Sequence, residues 1–174
     1  WPDVGGRLLG VTAKSLRDLQ APVASFVGAE ADRLARKIML AGDGWREEFD
    51  AWLTARAGGL SPMDAEVRLV LVAQHAANGA LSAGELAELV GLSARQLQRR
   101  FSAATGLTIK TYARIRRLRP ALGHMLGGQN GSWASVAASL GFSDQSHLIA
   151  EFRRLAGASP GEVARYVSSI VHSN

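Results

Sequence analysis

Two stretches of the chain share one pattern: "SAGELAELVGLSARQLQRRF" at residues 82–101 and "SWASVAASLGFSDQSHLIAEF" at residues 132–152. An offset of 50 places Gly91 over Gly141. The second copy then gains one residue, and beyond that point an offset of 51 aligns the two copies. Self-similarity of this kind indicates that one supersecondary unit occurs twice in the fold.

Each copy predicts a helix-turn-helix. Leu86 and Ala87 lie on one face of a first helix, where the small Ala87 allows a second helix to approach closely. Gly91 turns the chain, and Leu97 and Phe101, four residues apart on the second helix, pack back against the first. Two helices joined by a short turn that contains glycine form this motif. A single copy also fits a generic helical hairpin, but two copies in the basic half of the chain favour the helix-turn-helix.

Helical periodicity dominates the rest of the sequence, and strand signals are scarce. The pattern predicts helices at about 26–40, 44–56, 63–77, 83–90, 94–104, 109–126, 133–140, 145–156 and 160–168. The predicted fold class is therefore all-α. Two helix-turn-helix subdomains are joined by a long linking helix and preceded by a small helical segment.

The helix ends are marked by residue type. Three serines stand three residues before Glu or Gln, the spacing of a capping box: Ser82 with Glu85, Ser93 with Gln96, and Ser159 with Glu162. Four glycines follow helical runs at positions where a left-handed C-cap is expected: Gly91, Gly106, Gly141 and Gly157.

Two further features of the helices are predicted. The segment "RAGGLSP" at residues 56–62 is a linker, with Ser61 as N-cap and Pro62 in the first turn of the next helix. The long linking helix carries Pro120, which removes a hydrogen bond and costs roughly 3 kcal/mol, so we expect a kink or local break there. Its apolar stripe, which predicts a buried helix, consists of Ile115, Leu118, Leu122 and Met125.

The charge is unevenly distributed. The 174-residue chain has a net charge of +5, and residues 64–174 hold twelve Lys and Arg against seven Asp and Glu, whereas residues 1–63 hold eight of each. A basic region indicates a nucleic-acid partner, although +5 is also an ordinary solubility charge. The absence of cysteine excludes disulfides and thiolate zinc sites and is compatible with a cytoplasmic protein. No apolar run predicts a membrane span, and a start at Trp1 without a signal pattern indicates a fragment.

Residues of about 64–168 resemble the DNA-binding domain of the AraC/XylS transcription regulators. The resemblance is carried by "ELAELVGLSARQLQRRF", Gly106, the linker "RLRPALGHML", and "VAASLGFSDQSHLIAEFRRLAGASPGEVAR". It implies seven helices, with two recognition helices that enter successive major grooves on one face of double-stranded DNA. It also implies activation through contact with RNA polymerase, and a homodimer formed through a missing or partial N-terminal domain.

The resemblance divides the chain into three parts. Residues 1–60 are a helical remnant of an N-terminal sensor or dimerisation domain, or alternatively a complete small module. Residues 61–168 are the DNA-binding domain, with helix-turn-helix units at 82–105 and 132–156. Residues 169–174 are a C-terminal tail.

The first recognition helix offers the clearest DNA-contacting residues. Because Leu97 and Phe101 are core positions, Arg95, Gln98 and Arg99 face outward, and they also match base-contacting positions of the family. Arg suits guanine O6 and N7, and Gln suits adenine N6 and N7. Arg100 is expected to contact phosphate or to face solvent.

The second recognition helix is expected to contribute less. Its matching positions are Gln145, Ser146, His147, Ile149 and Ala150. Family members often carry a basic residue where Ala150 stands, and Glu151 is expected to repel phosphate. The phosphate-binding or helix-capping candidates are Ser93, Thr108, Ser143 and Arg153.

No enzyme site is predicted. Ser143, Asp144 and His147 contain the residue types of a hydrolytic triad, but the repeat indicates an N-cap at Ser143, a first-turn charge at Asp144 and a DNA-facing side chain at His147. The four histidines form no HxxxH pair, so no metal and no cofactor is expected. The glycine-rich "GGQNG" at residues 127–131 is interpreted as a flexible connection. The alternative function is a helical protein-interaction adaptor that does not bind DNA.

Overall fold

The computed structural model describes Pro2, residues 4–126 and residues 132–171. Within these ranges all regular structure is helical, which confirms the all-α prediction. The α-helices are α1 (Val4–Leu9), α2 (Ala24–Val27), α3 (Ala29–Ala41), α4 (Trp45–Gly58), α5 (Ala65–Ala76), α6 (Ala83–Leu89), α7 (Ala94–Thr105), α8 (Ile109–Leu126), α9 (Trp133–Ser139), α10 (Gln145–Ala156) and α11 (Pro160–Val171). Short 3-10 helices lie at Ala13–Leu16 and Gly42–Gly44.

The chain forms two compact units. The first contains residues 1–72 and 82–109, and the second contains residues 73–81 and 110–174. The helix-turn-helix α6–α7 belongs to the first unit, and α9–α10 belongs to the second. None of the helices in the described ranges is long and apolar enough to cross a membrane. The predicted connection at 127–131 and the last residues of the predicted tail, 172–174, lie outside the described residues.

The two helix-turn-helix units repeat each other in their backbone hydrogen bonds. The amide of Leu92 donates to the Ala87 carbonyl at 3.0 Å, and that of Phe142 donates to the Ala137 carbonyl at 2.9 Å. The intervening Gly91 and its counterpart have φ values of 65° and 73°. These are the left-handed turns and closing bonds of a glycine C-cap. The predicted repeat is confirmed at the level of individual bonds.

The buried cores are repeated as well. In the first unit Leu86, Leu97 and Phe101 are fully buried. In the second, Leu148 is fully buried and packs with Phe142 and Ala137 against α8. Burying each large side chain contributes about 1.5–3 kcal/mol, so these contacts hold the paired helices together.

Two predicted helix starts are wrong by a few residues. The helix predicted at 63–77 begins at Ala65, because Asp64 accepts a hydrogen bond from the Val67 amide at 3.1 Å and serves as the cap in place of Ser61. The helix predicted at 26–40 is divided at Gly28, whose φ of 56° is incompatible with a continuous helix. Helix α1 was not predicted.

Helix α8 differs from its prediction in two respects. It runs without a break through Pro120. Buried Leu118 and Ala121 on either side of the proline anchor the helix, and this packing offsets the lost hydrogen bond. The predicted apolar stripe is only partly buried, because Ile115 is 41% exposed, and the side chain of Met125 lies outside the described ones.

The N-terminal segment packs on the first helix-turn-helix within the same unit. Arg17 donates a hydrogen bond to the Gly106 carbonyl at the end of α7. A Cβ on Gly106 would lie 2.6 Å from the Ala13 carbonyl, so only glycine allows this approach. The same turn in the second unit, at Gly157, has nothing within 4 Å of such a Cβ.

Candidate nucleic-acid interface

The outer face of α7 presents two arginines. Arg95 and Arg99 are exposed and lie one turn apart, while Leu97 and Phe101 on the opposite face are fully buried. Both arginines border an open depression of about 680 Å³. Its other lining residues are Ser93, Gln96, Gln98 and Ser102. The depression is therefore polar and cationic along one side of the helix.

A capping box fixes the start of α7. Ser93 Oγ accepts from the Gln96 amide at 3.3 Å, and Gln96 Oε1 accepts from the Ser93 amide at 3.0 Å. The prediction of this box is confirmed, as are those at Ser82 and Ser159. The fixed N-terminus of α7 adds its positive dipole end to the charge of the nearby arginines.

The side chain of Gln98 forms hydrogen bonds within the protein. Its side chain is half-buried, Nε2 donates to Ser102 Oγ at 2.7 Å, and Oε1 accepts from the Ile109 amide at 3.3 Å. Gln98 therefore satisfies the first amide of α8 and joins it to α7. The helical pattern placed Gln98 outward but could not show that the start of α8 lies beside it.

Arg100, which was expected to contact phosphate or to face solvent, is half-buried and paired with two carboxylates. Its Nε donates to Asp64 Oδ2 at 2.7 Å and its Nη2 donates to Glu66 Oε2 at 2.9 Å, so it joins α7 to the start of α5. Burial raises the pKa of Asp64, but the Arg100 hydrogen bond and further hydrogen bonds outweigh it and hold that pKa below its usual range. The hydrogen bond that Arg100 donates to Asp64 is also the main cause that raises the pKa of Arg100. The Arg100 guanidinium is therefore bound by two carboxylates within the protein.

The N-cap of α10 is Asp144 and not Ser143. Asp144 Oδ1 accepts from the His147 amide at 2.7 Å, and this hydrogen bond holds the pKa of the carboxyl below its usual range. The extra residue of the second copy therefore enters before the cap, so Asp144 is the counterpart of Ser93. Sequence alignment alone had matched the two serines.

The Ser–Asp–His cluster lacks the geometry of a triad. The Asp144 carboxylate binds the backbone amide of His147 and not its ring, and Ser143 Oγ lies 3.1 Å from His147 Nδ1. The His147 ring packs edge-on against Phe142 at a centroid distance of 5.2 Å. In the part of the chain that the structure describes, no group of His, Asp or Glu side chains could hold a metal ion.

The rest of the outer face of α10 is weakly charged. Gln145, Ser146 and Ala150 are exposed, whereas Ile149 is half-buried. The basic residues Arg153 and Arg154 are exposed on its second half.

Thr108 is exposed immediately before α8 in the first unit.

Glu151 does not present a free negative charge. Its carboxylate is bound by Arg114, and the Arg154 guanidinium lies 4.0 Å away. The hydrogen bond from Arg114 holds the pKa of Glu151 below its usual range. The predicted repulsion of phosphate is therefore offset by a neighbour on α8 that the sequence pattern did not identify.

A similarity to a known family covers the same region. Residues 86–166 match a family described as a helix-turn-helix domain. Transcriptional activator RhrA of Rhizobium meliloti (strain 1021) is 32% identical over 99 residues, which are 56% of this chain and 31% of that protein. The chain thus spans about a third of the length of this curated relative.

One solved structure supports the fold. The C-terminal domain of AraT, a response regulator from Geobacillus stearothermophilus, superposes with a TM-score of 0.53 and 19% identity. The match covers 61% of this chain and 88% of that chain. The repeated units and these similarities together show a helix-turn-helix fold, and residues 86–166 are similar to the helix-turn-helix domain family.

Proposed function

We propose that the chain is the DNA-binding region of a transcription regulator in which Arg95 and Arg99 of α7 contact base edges in a major groove. The observation that carries the proposal is the pair of exposed arginines on a capped helix of a helix-turn-helix. Neither arginine takes part in an ion pair among the described residues. Their guanidinium groups are thus available for the two acceptors of guanine.

Helix α10 enters the next major groove in this proposal and contributes less to affinity. Its exposed first turn offers Gln145 and Ser146, with His147 beside them, and the half-buried Ile149 can contact a thymine methyl group. Arg153 binds phosphate, as do the hydroxyls of Ser93, Ser143 and Thr108. Gln98 and Arg100 keep their internal partners and position α7.

The proposal also includes a role in activating transcription. It is supported by the 32% identity to a protein named as a transcriptional activator. Contact with RNA polymerase, a homodimer and a cytoplasmic location accompany that role. A promoter-reporter assay tests it: the regulator raises transcription from a promoter that carries its site, and a fall would contradict activation.

The central test is DNA affinity. Selection from a random DNA pool identifies a site, and fluorescence anisotropy then measures Kd for the chain and its variants. Arg99→Ala is expected to weaken specific binding by about 1–3 kcal/mol, or roughly 5- to 150-fold in Kd, because it removes a base contact. Binding should also weaken as salt rises, since phosphate contacts release counterions.

Arg36→Ala is the matched control. Arg36 is an exposed arginine on α3, outside the helix-turn-helix units, and its loss changes net charge equally. An equal loss of affinity for Arg36→Ala and Arg99→Ala would contradict the placement of α7 in the groove. A chain that selects no DNA would favour the protein-interaction adaptor.

A further inference from the structure

The second unit contains an apolar groove that the DNA-binding role does not use. It has a volume of about 660 Å³ and lies among side chains of α8, α10 and α11. Its apolar lining includes Ile115, Leu118, Leu122, Leu155 and Val163. This volume lies within the range of small-molecule sites in proteins.

Two arginines of α8 also line the groove. Arg116 is only 9% exposed, and its Nη2 donates a long hydrogen bond of 3.4 Å to the His75 carbonyl. Its buried Nε has no hydrogen-bond partner. Arg119 is exposed, and neither arginine takes part in an ion pair among the described residues. A buried cation without a counter-ion is costly, so the site favours an anion.

The positive charge acts on its surroundings. Arg116 is the main cause, followed by burial and by Arg119, that holds the pKa of His75 below its usual value. A cationic ligand would be repelled by the same charges, and a wholly apolar ligand would leave the Arg116 Nε unsatisfied. An inorganic anion would leave the apolar walls in contact with water.

We propose that this groove binds a small amphiphilic carboxylate, with the apolar chain along Leu122 and Leu155 and the carboxylate on Arg116 and Arg119. The apolar lining accounts for the hydrocarbon part, and the uncompensated guanidinium groups account for the acid. The site is independent of the proposed function, because none of its lining residues belongs to the DNA-contacting set.

The test uses octanoate, octan-1-ol and octylammonium as probes of the whole 174-residue chain without DNA. Calorimetry gives Kd, and methyl NMR locates binding. Octanoate is expected to shift the methyl signals of Ile115, Leu122, Leu155 and Val163. Octan-1-ol is expected to bind at least about tenfold more weakly, because its uncharged hydroxyl cannot form an ion pair with the guanidinium groups. Hexanoate, two methylenes shorter, is expected to bind roughly 15-fold more weakly.

Variants on the exposed side of α8 separate the charge from the fold. Arg119→Gln should weaken octanoate binding severalfold and leave octan-1-ol binding unchanged. Arg117→Gln is the matched control, because Arg117 is exposed on the same helix and does not line the groove. Arg116→Gln should weaken octanoate further, with its fold checked by circular dichroism.

Several results would overturn the proposal: no saturable octanoate binding, equal affinities for octanoate and octan-1-ol, tighter binding of octylammonium, or methyl shifts elsewhere. An equal effect of Arg117→Gln and Arg119→Gln would do the same. None of these results bears on DNA affinity, so failure of this proposal is distinguishable from failure of the DNA-binding one.

Discussion

Helices α7 and α10 have the same place in the two repeated units, but their exposed faces differ in charge. With the offset of 51, Arg95 corresponds to Ser146 and Arg99 corresponds to Ala150. The apolar anchors at the same offset, such as Phe101 and Phe152, are both buried. The comparison shows that core, glycine and cap positions specify the motif, while the outward positions are free to differ between copies.

Each of the two helices forms an ion pair with a neighbouring segment of its own unit. In α7 the helix supplies the cation, whereas in α10 it supplies the anion. In the first unit Arg100 of α7 binds Asp64, just before α5; in the second Glu151 of α10 is bound by Arg114 of α8. The offsets of 51 and 50 that relate the two copies also relate these pairs. Both copies therefore keep an ion pair at the same place, but the positions of the cation and the anion are exchanged.

The largest expected effects come from the buried aromatic anchors. Phe101→Ala and Phe152→Ala should each lower the free energy of unfolding of their own unit by about 3–5 kcal/mol, through lost burial and a cavity. Residue-level hydrogen exchange measures each unit separately. Leu89→Ala is the control, because Leu89 is 50% exposed. Equal losses of protection in both units from one substitution would contradict the expectation that each anchor stabilises its own unit.

Charge reversal tests the second ion pair. Glu151→Lys should destabilise the second unit by about 1–3 kcal/mol, between the values for exposed and buried pairs, because it places two cations together. The double variant with Arg114→Glu should recover most of this loss, since it restores a pair with the polarity of the first unit. A double-mutant cycle from urea unfolding measures the coupling. Additive losses would show that the pair does not stabilise the fold.

Ala150→Arg tests whether surface charge explains the expected difference in DNA binding. It places an arginine at the counterpart of Arg99 and should tighten binding by up to about 1 kcal/mol, while the salt slope steepens by about one unit. The control is Ala35→Arg, at an exposed position of α3. Anisotropy titrations at several salt concentrations give both quantities. The same slope for both variants would contradict the approach of α10 to DNA.

The smallest effects concern the helix caps. Ser93→Ala should cost about 1 kcal/mol, and Asp144→Ala should also lower stability, whereas Ser143→Ala should not. Thermal unfolding of the three variants ranks them. A loss for Ser143→Ala that exceeds that for Asp144→Ala would restore the assignment made from the sequence.

The two caps should also differ in their response to pH. The folded pKa of Asp144 is lowered, so its contribution is present above the ordinary aspartate pKa of about 3.9 and is lost as pH falls through the lower folded value. The Ser93–Gln96 cap contains no titrating group. Amide exchange in the first turns of α7 and α10 below about pH 5 should therefore show selective loss at α10. A parallel loss at α7 would contradict this account.

Most of the fold could be predicted from the sequence, and the site only in part. Helices from residue 83 onward were placed within one or two residues, except that α11 continues three residues beyond its predicted end. Their caps and glycines act locally. Arg95 and Arg99 could be placed outward by helical periodicity. Gln98, Arg100 and Glu151 could not be assigned, because their partners at Ile109, Asp64 and Arg114 are distant in sequence.

The sequence by itself determined the repeat, the helix ends and the apolar faces, since each depends on a residue's own conformational preference or on neighbours within a few positions. Only the tertiary structure decided which polar side chains are committed to internal contacts. It also decided that α8 continues through Pro120. The physical reason is that burial and long-range pairing outweigh local preference, and neither is encoded within a single turn of helix.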